Sequence, residues 1–126
     1  MTLEFVHTDN APAAIGPYSQ AVKVGNLLFC SGQIPLDPKT MQMVGSNAAE
    51  QAEQVMKNMA HLLEAGGASL GKVARTTIFL ASMADFAAVN EVYGRHFGEH
   101  RPARACVAVK ELPKGSLVEI DCIAAL

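Results

Sequence analysis

The chain is poor in the features that would tie it to nucleic acid, to a membrane or to an oxidising compartment. Ten Lys and Arg stand against twelve Asp and Glu, a formal net charge of −2. The basic residues are scattered and no run of them follows a helix face, so the electrostatic footprint of a nucleic-acid binder is missing. No apolar run approaches the length of a membrane span, and the first ten residues, with Glu4, His7 and Asp9, do not read as a signal peptide. The three cysteines, Cys30, Cys106 and Cys122, are odd in number, widely separated and set in apolar runs. They read as reduced, packed side chains of a cytosolic protein rather than as a disulfide framework. There is no phosphate loop, dinucleotide fingerprint, Gly-x-Ser-x-Gly elbow or zinc-type cysteine pair. Nor is there an internal repeat, a linker or a low-complexity tract, so residues 1–126 read as one domain.

What is present is apolar. Half of the residues are hydrophobic and only 17% are charged. For so short a chain this predicts apolar surface covered by another subunit, and hence a homo-oligomer. Residues 3–7 predict a first short strand. Two apolar runs joined by Gly25-Asn26 predict a β-hairpin with a two-residue turn, whose second strand runs into Ser31-Gly32-Gln33 and ends by Pro35. Asn47, with Glu50 three residues on, predicts a capped helix carrying Ala52, Val55, Met56, Met59, Leu62 and Leu63 as one apolar stripe up to Gly66-Gly67. Glu53, Gln54, Lys57 and Asn58 fall mostly off that stripe. Residues 73–80 predict a strand. Ser82 and Asp85 open a second helix with Phe86, Val89, Tyr93 and Phe97 on one face, ended by Gly98. Gly94 inside it predicts a close approach, because glycine there costs about 1 kcal/mol of helix stability against alanine. Strands at 104–109 and 117–123 close the chain. The order β-β-β-α-β-α-β-β predicts an α+β fold with both helices on one face of a sheet.

The candidate chemistry gathers around residues 102–109, Pro-Ala-Arg-Ala-Cys-Val-Ala-Val. Arg104, flanked by alanines at the start of an apolar strand, is expected to be carried into the fold, where a guanidinium must be paired. Its planar fork suits a carboxylate, whether a side chain in a structural salt bridge or a substrate. Period-2 alternation puts Arg104 and Cys106 on one face of their strand, and Glu119 and Asp121 on one face of the last. Glu119, between Val118 and Ile120, is either a carboxylate with a raised pKa for acid–base work or simply the partner of Arg104. Cys106 lacks a neighbouring histidine or helix N-terminus and reads as packed rather than nucleophilic. His96 and His100 are spaced to chelate a metal across one helical turn, but no third ligand is apparent, and a solvated helix end is the simpler reading. Tyr18 and Ser31 offer hydroxyls at glycine-flanked strand ends. The residues thus predict an arginine gripping a carboxylate near a glutamate able to manage a proton, without naming a reaction.

Four separated motifs resemble one family. Ile15-Gly16-Pro17-Tyr18-Ser19-Gln20, Ser31-Gly32-Gln33-Ile34-Pro35, Pro102-Ala103-Arg104-Ala105-Cys106-Val107 and Val118-Glu119-Ile120 look like the Rid family, the YjgF-like reactive intermediate deaminases, with the RidA branch nearest. The resemblance covers essentially the whole chain. It implies a chorismate-mutase-like α+β fold with a mixed six-stranded sheet, the last strand inserted within it. It also implies a homotrimer whose sheets form a central barrel, with sites in the inter-subunit clefts. The implied activity is a 2-iminobutanoate/2-iminopropanoate deaminase, which hydrolyses enamines and imines such as 2-aminoacrylate to 2-keto acids and ammonia without a cofactor or metal.

Carried over by motif, Arg104 would bind the substrate carboxylate, and Glu119 would position and deprotonate water. Tyr18, Ser31 and Asn90 would shape the pocket, Gly32 would allow close backbone approach, and Cys106 would contribute through its backbone. One departure stands out. Many relatives carry an aromatic residue before Pro-Ala-Arg, whereas here Glu99-His100-Arg101 leads straight into Pro102. Arg101 is then either a solvated loop cation or a ligand for a second acidic group. Two other functions remain open at this point: a trimeric module that binds 2-keto acids without turnover, and an RNA-acting protein, against which the net charge counts.

Overall fold

The computed structural model describes residues 2–126. Its strands are β1 (Leu3–Val6), β2 (Ala21–Val24), β3 (Leu27–Gln33), β4 (Val73–Leu80), β5 (Ala103–Ala108) and β6 (Val118–Ala125). Its helices are α1 (Ala48–Ala65) and α2 (Phe86–Phe97). All six strands form one sheet in the order β1-β2-β3-β6-β4-β5. Every pairing is antiparallel except β4 with β5, which a crossover through α2 makes parallel. The last strand therefore lies in the middle of the sheet, between β3 and β4, while β5 is left at an edge. No helix among the described residues is long and apolar enough to cross a membrane.

Local chemistry accounts for the elements. Val24 pairs with Leu27 across Gly25-Asn26, and Gly25 takes a φ of 56°, as a two-residue hairpin requires. The second strand of that hairpin runs through Gly32 rather than stopping at it, with a register shift against β6 between Cys30 and Gln33. Asn47 Oδ1 accepts from the Glu50 amide at 2.9 Å and caps α1. Glu50 does not complete a reciprocal box with Asn47; its carboxylate instead accepts from the Ser46 amide at 2.9 Å. At the other end of α1, a Cβ on Gly66 would come within 3.0 Å of Leu28 Cδ1, so the helix terminus closes directly on the sheet.

Both helices pack on one face. Val55, Met56, Met59, Leu62 and Leu63 of α1, and Val89, Tyr93 and Phe97 of α2, meet Leu28, Ile78, Leu80, Val118, Ile120 and Cys122 of the sheet. Met56 and Met59 are core, fully buried. Asn58, expected off the apolar stripe, is buried too. Its amide donates to the Leu36 carbonyl at 2.9 Å and the Ile34 carbonyl at 3.2 Å, and it accepts from Gln54 at 2.8 Å, so a satisfied polar group ties the loop after β3 to α1.

The opposite face of the sheet is bare. Phe5, Val22, Phe29 and Ile123 stand in one cross-strand row, and Leu3, Val24, Leu27 and Ala125 in the next. Phe5 is 69% exposed and Phe29 40%. The apolar exposure that the composition predicts is thus concentrated on this one sheet face.

Candidate active site

The edge strand and α2 build one half of the candidate site. Arg104 pairs in register with Thr76, whose hydroxyl lies 2.7 Å from the Tyr93 hydroxyl of α2, so Arg104 points to the helix side of the sheet. Phe86, Asn90 and Tyr93 recur at helical spacing on α2 and meet it there. Arg104 Nη1 donates to Asn90 Oδ1 at 2.6 Å, and the guanidinium carbon sits 5.0 Å from the Tyr93 ring centroid and 5.7 Å from that of Phe86. Cation–π contact and one hydrogen bond fix its orientation without neutralising it. The expectation that Arg104 is carried into the fold is corrected, since it is exposed; of the two partners left open, a side-chain carboxylate within salt-bridge distance is absent among the described residues. An edge strand and an aromatic rest replace the buried partner that the flanking alanines suggested.

Cys106 shares the Arg104 face, as alternation predicts, and packs beside Ile78. Burial pushes its thiol up from the ordinary range and the Arg104 charge offsets this only partly, so the thiol stays protonated at neutral pH. Cys30 and Cys122 are direct cross-strand partners in the core and are free thiols.

The other half lies around Glu119, which is paired with Phe79 on β4 and therefore projects from the bare face of the sheet. Burial, and to a smaller degree the neighbouring Asp121, push its carboxyl above the usual carboxylate range. The carboxylate lies over Gly32 of β3: a Cβ there would come within 2.9 Å of Glu119 Cδ and 3.1 Å of Cγ, with Oε2 closer still. Gly32 and the half-exposed Tyr18 line one small hollow with Ile15. Ser31 beside them donates its hydroxyl to the Ser19 carbonyl at 2.6 Å and its amide to the Gln20 carbonyl at 2.9 Å. Its oxygen is left as an acceptor.

Arg104 and Glu119 do not meet within one chain. β4 separates their strands, they pair with residues three apart on it, and they leave the sheet on opposite faces. The reading of Glu119 as the ion-pair partner of Arg104 is thereby corrected, and so is their expected proximity within the chain.

Other sequence expectations shift as well. Gly94 has open space where a Cβ would stand, so nothing in the chain approaches α2 closely there. His96 Nε2 lies 2.7 Å from Glu53 Oε2, and His100 Nε2 lies 2.7 Å from the Val73 carbonyl. Both rings are engaged rather than solvated, and no group of three metal-ligating side chains occurs among the described residues. Tyr93, a core residue of α2 by its apolar stripe, also faces Arg104, and its i+3 spacing from Asn90 is the sequence signal for this.

Residues 8–126 match the family described as Endoribonuclease L-PSP. The chain is 48% identical to the 2-iminobutanoate/2-iminopropanoate deaminase of Mus musculus, covering 94% of this chain and 88% of that one. The chain belongs to the Rid family. The Myxococcus xanthus protein DfrA is 56% identical over 98% of this Rid chain and 96% of its own. RidA from the Antarctic bacterium Psychrobacter sp. superposes with a TM-score of 0.94 at 46% identity, covering 98% and 99% of the two chains. The mixed six-stranded sheet with two helices is the shared fold. The names within the family diverge, from deaminase to endoribonuclease.

Proposed function

We propose that this Rid protein hydrolyses 2-imino acids and their enamine tautomers, such as 2-aminoacrylate, to 2-keto acids and ammonia, in the cytosol. The observation that carries this reading is Arg104. It is oriented by Asn90 and two aromatic rings, opens on a cleft and has no carboxylate partner among the described residues. A guanidinium held in this way is prepared for the carboxylate of a small ligand.

The second group the reaction needs is Glu119. Because the two leave opposite faces of one sheet, the reading requires that the Arg104 half of one copy faces the Tyr18, Ser31, Gly32 and Glu119 half of another. A homotrimer with the bare sheet faces turned inward into a barrel provides this and covers Phe5 and Phe29. Water adds to the electrophilic imine carbon as Glu119 takes its proton. Glu119 returns that proton to the nitrogen, and the carbinolamine collapses to the keto acid and ammonia. A carboxylate with a raised pKa is the better base for this exchange. The reaction requires no thiolate, in keeping with the protonated Cys106. An endoribonuclease reading is less well supported, since the chain has a net charge of −2 and no basic stripe.

The test generates imino acids in situ with an amino-acid oxidase and traps them with semicarbazide. The wild type is expected to lower semicarbazone yield, and Arg104→Ala and Glu119→Ala to abolish the effect. A folded wild type that leaves the yield unchanged across several imino acids would end the deaminase reading. The better account would then be a module that binds 2-keto acids.

A further inference from the structure

The cleft beneath α2 holds a second unneutralised cation. A hollow of about 370 Å³ is lined by Asn90, Tyr93, Gly94, Arg101, Pro102 and Arg104, two guanidinium groups and no acidic side chain. Among the described residues, neither arginine has a carboxylate within salt-bridge distance. Arg104 gives Nη1 to Asn90. Arg101 gives only Nη1 as well, to the Gly98 carbonyl and to the His100 carbonyl, the latter at 2.9 Å. Each guanidinium therefore keeps Nε and Nη2 for another acceptor. Both guanidinium-bearing residues line this one hollow together with Tyr93. Gly94 contributes no side chain and has open space where a Cβ would stand, so α2 leaves this wall of the cleft unfilled.

A monocarboxylic imine would engage Arg104 and leave the Arg101 charge unanswered. A four- or five-carbon dicarboxylic imine presents a carboxylate to each. Resting on the deaminase reading of this cleft, we propose that Arg101 binds the distal carboxylate of the substrate. The protein then prefers imines of acidic amino acids, 2-iminosuccinate or 2-iminoglutarate, over 2-iminopropanoate. The competing role for Arg101 is structural, a cation at the carbonyl end of α2. That role uses only Nη1 and would affect all substrates alike.

The experiment measures kcat/KM for imines generated in situ from glutamate and aspartate, and from alanine and 2-aminobutyrate, by semicarbazide trapping on the intact oligomer. The wild type is expected to favour the dicarboxylic imines by about tenfold, the worth of one charge-assisted contact. Arg101→Ala should bring that ratio to about one or below, and Arg101→Lys should restore part of it. A wild-type ratio below one, or a ratio that Arg101→Ala does not move, overturns the proposal while leaving the deaminase standing. If the wild type hydrolyses none of these imines, the deaminase reading falls, and calorimetric titration decides the role of Arg101. Tighter binding of 2-oxoglutarate than of 2-oxobutanoate, lost in Arg101→Ala, upholds that role; equal affinities overturn it.

Discussion

Replacing Gly32 by alanine isolates the position of the Glu119 carboxylate from every other property of the site. Gly32 does not have a positive φ, so alanine suits its backbone conformation. The three nearest atoms that an added methyl would meet all belong to Glu119, with Cδ at 2.9 Å and Cγ at 3.1 Å and Oε2 inside both. The carboxyl must therefore retreat by about an ångström. Because it is the far end of a flexible chain, the cost to stability should stay near the low end of the 1–3 kcal/mol usual for overpacking. A misplacement of about 1 Å at a reacting group costs on the order of a hundredfold in rate. Gly32→Ala is thus expected to fold with little change in Tm while losing about two orders of magnitude in kcat for imine hydrolysis, read by semicarbazide trapping. If the loss acts through Glu119, the double variant Gly32→Ala/Glu119→Gln should be no worse than Glu119→Gln alone. A Gly32→Ala protein with more than about half of wild-type kcat would refute the reasoning, because the carboxylate would then not need its seat over the glycine.

Other expectations follow from the same geometry. Burial raises the Glu119 pKa in the folded state, so its ionisation opposes folding at neutral pH, a penalty that vanishes once pH falls below the ordinary carboxylate value and the group is protonated folded or unfolded. Glu119→Gln should therefore raise Tm at pH 7–8 and leave it unchanged near pH 4, while abolishing activity; a lower Tm at neutral pH would contradict the assigned burial penalty. If each site takes Arg104 from one copy and Glu119 from another, unfolding and refolding an equal mixture of the inactive Arg104→Ala and Glu119→Ala proteins should recover about a quarter of wild-type activity, and no recovery would place both groups in one chain's site. Cys106→Ala should lower kcat only a few fold, because the protonated thiol takes no covalent part; a loss as deep as that of Arg104→Ala would reopen the nucleophile.

The elements were legible where local chemistry decides them. The Val73–Leu80 strand, the Asn47 cap, the Gly25-Asn26 turn and the Gly98 helix end all stand where the residues put them, because each is fixed by side chains within a few positions. The alternation of Glu119 and Asp121 against Val118, Ile120 and Cys122 was equally readable, since the inner three are buried and the outer two only partly so. Solvation was less readable. Arg104 looked buried because its neighbours are small and apolar, but Ala103 and Ala105 lie on the opposite face of an edge strand and say nothing about what covers Arg104. Asn58 looked exposed because it is polar, yet two backbone carbonyls of a loop more than twenty residues away make its burial tolerable. Both depend on partners distant in sequence, which periodicity does not register.

The relation between Arg104 and Glu119 follows from topology. β5 and β6 are consecutive strands, and a hairpin between them would make the two residues neighbours. Inserting β6 between β3 and β4 removes that adjacency and makes β5 parallel to β4 at the edge. Parity along each strand then sends the guanidinium toward α2 and the carboxylate toward the bare face. The same parity leaves Leu3, Phe5, Leu27 and Phe29 facing solvent on the Glu119 side. Chemistry and apolar exposure thus make one demand. Whatever copy covers that face must approach the strands that carry Glu119, and a copy that brings its own edge strand and α2 to that boundary supplies the missing arginine. On the proposed reading, association and catalysis are coupled, and a substitution that disperses the oligomer should silence the site even with Arg104 and Glu119 both intact.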